Sequence, residues 1–344
     1  MQAVRKVRRE YDGMRLEERP DPACGAEDVI VRVTAAAVCG SDLHAYQYHS
    51  THHYMQVPVT MGHECTGVIE QTGTSVSHVQ VGDTVVADAI LSCGSCEPCL
   101  AGRTNLCHSF EVRGMKRDGV FAEKFATPAR FVHPISNQVP PAEAALAEPL
   151  AVAFHAAASV HPVSPGDVHL VTGPGPIGVL TALCLQLQGA DVLLAGTMED
   201  EEKRFPICEA LGIPAVLSHP EPIRTWLNEH TGRTAVEGWV ECSGAASVFD
   251  FIPDVVKKGG TCTVQGLYKE AVRIDMTALV RREVSILTSC AYTAQDMKAA
   301  IRLLEKRKVE PAAMIQLYRL EDMHEAFEDA VQQKVMKSVF LMGE

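Results

Sequence analysis

Along the first part of the chain apolar residues come in short alternating runs, and further on strand-like and helix-like stretches take turns. Residues 28–38 alternate and are rich in Val and Ala, as a half-buried strand is. Further strand-like runs cover 67–70, 83–87 and 119–126, separated by Gly, Pro, Ser and Asp. Helical periodicity stays weak before about Pro140, so residues 1–150 are expected to form a small antiparallel β domain. Beyond it, 168–172 reads as a strand, 179–188 as a helix closed by Gly189, and 191–195 as a second strand. The runs 215–218, 238–244 and 260–266 continue the alternation, which predicts a parallel, doubly wound sheet over 151–290. Two amphipathic helices are expected at 294–308 and 321–334, and a last strand at 337–342. Met297, Ile301 and Leu304 form an apolar stripe suited to core packing.

Composition narrows this picture only a little. A chain of 344 residues exceeds the size at which one core keeps growing, in keeping with two domains. Its 47% apolar and 22% charged residues are those of an ordinary globular protein. No apolar run reaches the roughly 18 residues that span a bilayer, and Met1 to Val7 lacks the apolar core of a secretory signal. A net charge of −12 argues against a nucleic-acid surface, which needs clustered Lys and Arg. Twelve cysteines without an export signal are expected to be reduced thiols in a cytoplasmic setting, some of them binding metal.

Four of those cysteines, Cys93, Cys96, Cys99 and Cys107, fall in one short segment. Two-residue spacers turn successive sulfurs toward one point, and four thiolates close a tetrahedral zinc site with no open position, which suits structure rather than chemistry. An iron–sulfur cluster or a redox dithiol is the alternative. A structural zinc of this kind supplies on the order of 10 kcal/mol to local folding. A second constellation starts at Cys39-Gly-Ser41-Asp42-Leu-His44 and is answered by Gly62-His63-Glu64. Sulfur and nitrogen ligands favour zinc, and a catalytic zinc keeps one position open. Glu148, before Pro149 at the start of a helical run, is the candidate third ligand; as a bare helix-terminal carboxylate it would only complement the dipole. Glu64 has three readings: ligand, partner exchanging with water, or orienting group. Asp42 reads as a group that fixes a ligand from behind. The loop from Tyr46 to Tyr54 holds three histidines without regular ligand spacing, so none is assigned to metal.

Gly173-Pro174-Gly175-Pro176-Ile177-Gly178 follows a strand and opens a helix, the context in which GxGxxG cradles a dinucleotide pyrophosphate. The next strand ends in Gly196-Thr197, where an acidic residue would bond the ribose 2′-hydroxyl of NAD. Glycine removes carboxylate repulsion and Thr197 offers a donor, which tips the reading toward NADP. Against it stands the acidic run Glu199 to Glu202, just before Lys203 and Arg204.

Together, Cys39 to His44, Gly62 to Glu64, the four-cysteine lobe, Glu148-Pro-Leu150, Gly173 to Gly178 and Glu241-Cys-Ser-Gly244 resemble the medium-chain zinc-dependent dehydrogenases over essentially the whole chain, in the style of the polyol (sorbitol-like) and threonine branches. The resemblance implies an α/β protein with a GroES-like β-rich catalytic domain (1–150), a Rossmann domain (151–290) and a C-terminal segment (291–344) that returns to the catalytic domain. Cys39 and His63 match the family's catalytic zinc ligands, Glu148 the position that is glutamate in the polyol and threonine branches, and Glu64 a glutamate that ligates in some members. Ser41 and His44 match the proton relay. The implied cofactor contacts are Gly173, Pro174, Gly175, Pro176, Ile177, Gly178, Gly196, Thr197, Arg204, Ser243 and Leu267. Two zinc ions, one catalytic and one structural, NAD(P), a small alcohol or polyol substrate and a homotetramer or homodimer follow from the same resemblance. The expected reaction is reversible oxidation of a secondary alcohol to a ketone. The rivals are a threonine 3-dehydrogenase, an alcohol or aldehyde reductase, and a non-catalytic nucleotide-binding protein on the same fold.

Overall fold

The computed structural model describes residues 1–343 and divides into two compact units, Met1–Glu148 with Thr293–Glu344, and Pro149–Tyr292. The sequence placed these divisions at 150/151 and 290/291.

The first unit is built on a seven-stranded sheet whose centre is the strand Asp28–Ala37. On one side it pairs antiparallel with Glu64–Thr72, with Ala37 opposite Glu64; on the other it pairs with the C-terminal strand Lys337–Leu341, with Ala37 opposite Val339. That register carries three distant stretches to one end of the sheet, next to Cys39. The alternation read in 28–38 is real, yet the strand is buried on nearly its whole length, because helices and loops cover both faces. The core gathers Val31, Val33, Tyr46, Met61, Phe121, Phe327 and Phe340, and Phe121 and Phe340 meet edge to face with centroids 5.1 Å apart.

Three local expectations differ. A helix at Gly40–Tyr46 escaped the periodicity reading, since seven residues containing Gly, Ser and Asp give no amphipathic stripe. In the run 119–126 the strand covers Lys124–Pro128, and the preceding residues instead tie to the N-terminal strand and to Met61 by single backbone bonds. The two late helices span Ala294–Glu305 and Met323–Val331, shorter than their apolar periodicity.

The second unit is a six-stranded parallel sheet of Val168–Thr172, Asp191–Gly196, Ala215–Leu217, Val236–Glu241, Val256–Val264 and Ser285–Thr288. Numbered along the chain, the strands lie in the order 3-2-1-4-5-6. The direction of winding therefore reverses between the first and the fourth, and a crevice opens at their carboxyl ends. Trp239 is fully buried at the centre of this unit beside Phe249 and Phe251. Among the described residues no helix is long and apolar enough to cross a membrane.

Candidate active site

Cys39 caps the helix Gly40–Tyr46, and its N–H donates to Asp42 Oδ2 at 3.0 Å. That first turn positions Cys39, Ser41 and Asp42 at once, with His44 one turn on. Asp42 Oδ1 lies 3.7 Å from His63 Nδ1, so the far side of the imidazole, Nε2, turns toward Ser41 Oγ at 3.5 Å. Fixing a metal-binding histidine through its second nitrogen is what a carboxylate behind it achieves. The ligand atoms of Cys39, His63 and Glu64 all lie within 4.8 Å of one another, and His63 and Glu64 are buried. Burial lowers the affinity of His63 for protons, but Asp42, the Cys39 sulfur and Glu148 outweigh it, and the imidazole is pushed well above its ordinary range.

Glu148 enters at the start of the helix Ala147–Phe154 and stands outside this trio. It still feels it: burial, and then the neighbouring Glu64, push its carboxyl up to about 8 against the pull of His63 and Lys337. Sequence reasoning missed Lys337. Its Nζ lies 2.6 and 2.8 Å from the two oxygens of Glu64, with both side chains almost wholly buried. Burial works against the lysine's charge, yet Glu64, Cys39 and Glu148 raise its proton affinity overall. A lysine opening the buried strand Lys337–Leu341 is the signal that could have pointed to it. Asp42, Glu64, Glu148 and the Cys39 sulfur thus gather around His63 and Lys337, a set of sulfur, nitrogen and oxygen donors that a divalent cation fits.

The loop after this helix packs three imidazoles together: His49 and His52 lie 5.6 and 5.3 Å from the His44 ring. Burial, followed by the neighbouring His44 and His49, lowers His52 to about 4.

In the four-cysteine lobe the sulfurs of Cys93, Cys96, Cys99 and Cys107 also lie within 4.8 Å of one another, and none is in a disulfide. Backbone N–H groups of Ser95 and Cys96 point at Cys93 Sγ at 3.5 and 3.4 Å, and those of Cys93 and Ser109 at Cys107 Sγ at 3.2 and 3.4 Å. Such donors favour thiolates, and they lower Cys93 to about 5. Burial and the adjacent sulfur of Cys96 push Cys99 the other way, to about 12. Crowded sulfurs that cannot all lose their protons alone have the chemistry that suits a zinc ion.

In the second unit the turn Gly173–Gly178 leads from the first strand into the helix Pro176–Leu187, whose cap, Gly175, offers no side chain. The first N–H groups of that helix therefore remain open to an anion. Gly196 is walled in: a Cβ there would stand 2.7 Å from Pro174 Cγ and 2.9 Å from the Phe205 ring. The acidic residue that an NAD site would carry here is absent, and these side chains would have to shift to admit one. Its nearest substitute, the buried Asp200, accepts from Thr197 N (2.8 Å), Thr197 Oγ1 (2.7 Å) and Arg204 Nη1 (3.0 Å). Thr197 and Arg204, both expected at the cofactor, are thus already engaged, while Glu199, Glu201 and Glu202 point to solvent. Ser243 is engaged too, its hydroxyl donating to Glu241 and accepting from Ala245 N at 3.1 Å. Leu267 is 82% exposed.

Residues 25–137 match the family model of the alcohol dehydrogenase GroES-like domain, and residues 176–306 that of zinc-binding dehydrogenases. The chain is 30% identical over 318 residues to a sorbitol dehydrogenase of Halalkalibacterium halodurans, covering 92% of this chain and 91% of that one. It is 33% identical over 284 residues to an L-threonine 3-dehydrogenase of Chelativorans sp., covering 81% and 80%. A zinc-binding dehydrogenase structure from Sinorhizobium meliloti 1021, bound to NADP, superposes with a TM-score of 0.89 at 26% identity over 99% of this chain and 98% of that one.

Proposed function

This chain belongs to the zinc-dependent medium-chain dehydrogenase family, and we propose that it reversibly oxidises a secondary hydroxyl of a polyol or sugar derivative to a ketone with NAD(P). The observation that carries this is the convergence of Cys39, His63 and Glu64 to within 4.8 Å beside Ser41 and Asp42. Cys39, His63 and either Glu64 or Glu148 would hold a catalytic zinc, and Cys93, Cys96, Cys99 and Cys107 a structural one. When bound, zinc supplies Lewis acidity toward a hydroxyl, and the dinucleotide supplies the hydride acceptor.

The chain's own residues do the rest. Ser41 Oγ, beside His63 Nε2, accepts the hydroxyl proton, and His44 carries it on toward solvent. Asp42 holds His63 in the orientation that leaves Nε2 for the metal. Lys337, in contact with both oxygens of the buried Glu64, fixes where that carboxylate stands beside Cys39 and His63. Gly175 and the open helix end behind it receive the pyrophosphate, with Gly173, Pro174, Pro176, Ile177 and Gly178 shaping the turn; Gly196, Thr197, Arg204, Ser243 and Leu267 are the further contacts we assign to the cofactor. Among the two dinucleotides we favour NADP, since residue 196 bears no carboxylate and Arg204 stands near.

We further propose a cytoplasmic homodimer or homotetramer. Cys93, Cys96, Cys99 and Cys107 stand within reach of one another without a disulfide, which suits a reducing compartment. The edge strand Ser285–Thr288, with the exposed Met276 and Val280 close by in sequence, suits pairing with another copy. The L-threonine 3-dehydrogenase relative supports a second reading, L-threonine as substrate. A panel of polyols, sugar acids, threonine and simple secondary alcohols, each run with NAD and NADP, tests both. Turnover of polyols in zinc-loaded enzyme supports the first; threonine alone supports the second; no turnover of any secondary alcohol sinks both.

A further inference from the structure

The second unit contains a fully buried carboxylate that neither the metal centre nor the glycine turn uses. Glu241 ends the fourth strand and accepts from Ser243 N at 2.6 Å, Gly244 N at 3.1 Å, Thr172 Oγ1 at 3.4 Å, and the hydroxyls of Ser243 and Tyr268. Four of these donors are local: three belong to the turn that follows Glu241, and Thr172 ends the adjacent first strand. Tyr268 is different. It lies in the irregular segment between the fifth strand, Val256–Val264, and the helix Met276–Arg282.

That segment leaves the sheet with Gln265 N and Gly266 N both donating to the Glu241 carbonyl at 2.9 Å. From Leu267 onward it has no regular structure. Two things bring it back. The Leu267 carbonyl approaches Gly244 (φ +67°) so closely that a Cβ there would sit 2.6 Å from it, and the Tyr268 hydroxyl reaches Glu241 while its ring rests 5.7 Å from that of Phe249. Burial and the bond to Glu241 raise the phenol's proton affinity, so it stays a donor throughout the neutral range. The turn that Glu241 organises also abuts Gly173, where a Cβ would meet Ser243 Cα at 2.7 Å. Glu241 therefore sits at the reversal of winding between the first and fourth strands, where a dinucleotide is held in sheets of this order.

We propose that the Tyr268–Glu241 pair is a latch that presets the segment after the fifth strand as one wall of the dinucleotide groove, making both of them positioning residues for cofactor binding. The inference rests on the dinucleotide reading above. A wall already in place spares the ordering that binding would otherwise require. Without the latch only a fraction of molecules presents that wall, and the apparent Kd rises by the inverse of the fraction.

Tyr268→Phe removes the hydroxyl and keeps the ring. Fluorescence titration of the zinc-loaded enzyme with NADPH and NADH should show Kd raised about tenfold, as expected when the latched form drops to about a tenth of the population. KM for the cofactor should rise in parallel, while kcat at saturating cofactor and KM for the alcohol stay at parental values. Phe249→Leu, which loosens the same ring's packing without touching the hydroxyl, should lower the melting temperature and keep the parental Kd. A Kd for Tyr268→Phe within twofold of the parent, or one matched by Phe249→Leu, overturns the latch. A parent enzyme with no saturable binding of either dinucleotide overturns the cofactor reading and the latch with it.

Discussion

Replacing Lys337 by Met removes the charge that answers Glu64 while keeping a side chain of similar length. The two side chains are 3% and 0% exposed, and the ammonium contacts both carboxylate oxygens. Deleting one partner of a buried pair leaves an uncompensated charge and typically costs about 3–5 kcal/mol. For a domain of this size each kcal/mol lowers the melting temperature by about 2–4 °C, so a fall of about 6–20 °C is expected in chelator-treated protein. Zinc at Cys39, His63 and Glu64 would itself answer the carboxylate, so the fall should be smaller in zinc-loaded enzyme. The pH dependence has a definite sign. In the parent, burial opposes the charge of Lys337 but Glu64, Cys39 and Glu148 raise its proton affinity overall, so the stability it contributes is full below the ordinary lysine value of about 10.4 and is lost only as pH rises past the raised one. The deficit should therefore hold level between pH 6 and 8. Calorimetric melts of the parent, Lys337→Met, Glu64→Gln and the double variant, each with and without zinc, make the measurement. In the double variant most of the loss should be recovered, because no buried charge remains unanswered. A metal-free Lys337→Met melt within 2 °C of the parent, or a double variant no better than the single, would refute this account.

Four further outcomes follow from the structure. Cys39→Ala should lose turnover and one zinc by mass spectrometry while still binding NADPH; retained turnover in the zinc-depleted variant would remove the metal from the chemistry. Gly196→Asp should lower the melting temperature rather than confer NAD preference, since Pro174 and Phe205 would have to shift to admit a Cβ, whereas Arg204→Ala should raise KM for NADP more than for NAD in steady-state assays. In the second unit His161 is bonded to Thr263 and His169 inside the core (2.7 and 2.9 Å), and burial, then the neighbouring His169, lowers it to about 3. Because folding depresses its proton affinity, stability is complete above about pH 6.5 and falls as pH drops toward 3, by up to about 1.4 kcal/mol per pH unit. His161→Gln should flatten that acid slope in urea titrations read by tryptophan fluorescence, and an unchanged slope would place the acid sensitivity elsewhere.

Much of this site is legible before folding, and the illegible part has a common character. The turn at Gly173 and the sulfur lobe at Cys93 are closed by residues a few positions apart, so covalent reach limits where their atoms can go. The helix carrying Ser41 and His44 was harder, because its seven residues derive their helicity from the Cys39–Asp42 cap and from burial against the core rather than from an apolar period. Thr197 and Arg204 were readable as donors near a phosphate, but not as donors already bound to Asp200; composition names a donor without saying which acceptor holds it.

By itself, the sequence pointed to a β-rich part followed by a parallel sheet, to the family, and to the reaction class that goes with it. Each depends on local spacing or on the period of apolar residues, which the chain carries with it into any fold. Tertiary structure alone decided that Glu64, rather than Glu148, gathers with Cys39 and His63, that Lys337 answers it from 273 residues away, and that Tyr268 fastens a loop to Glu241. Those contacts depend on strand register, with Ala37 set between Glu64 and Val339, and register is chosen by the burial of whole faces at once.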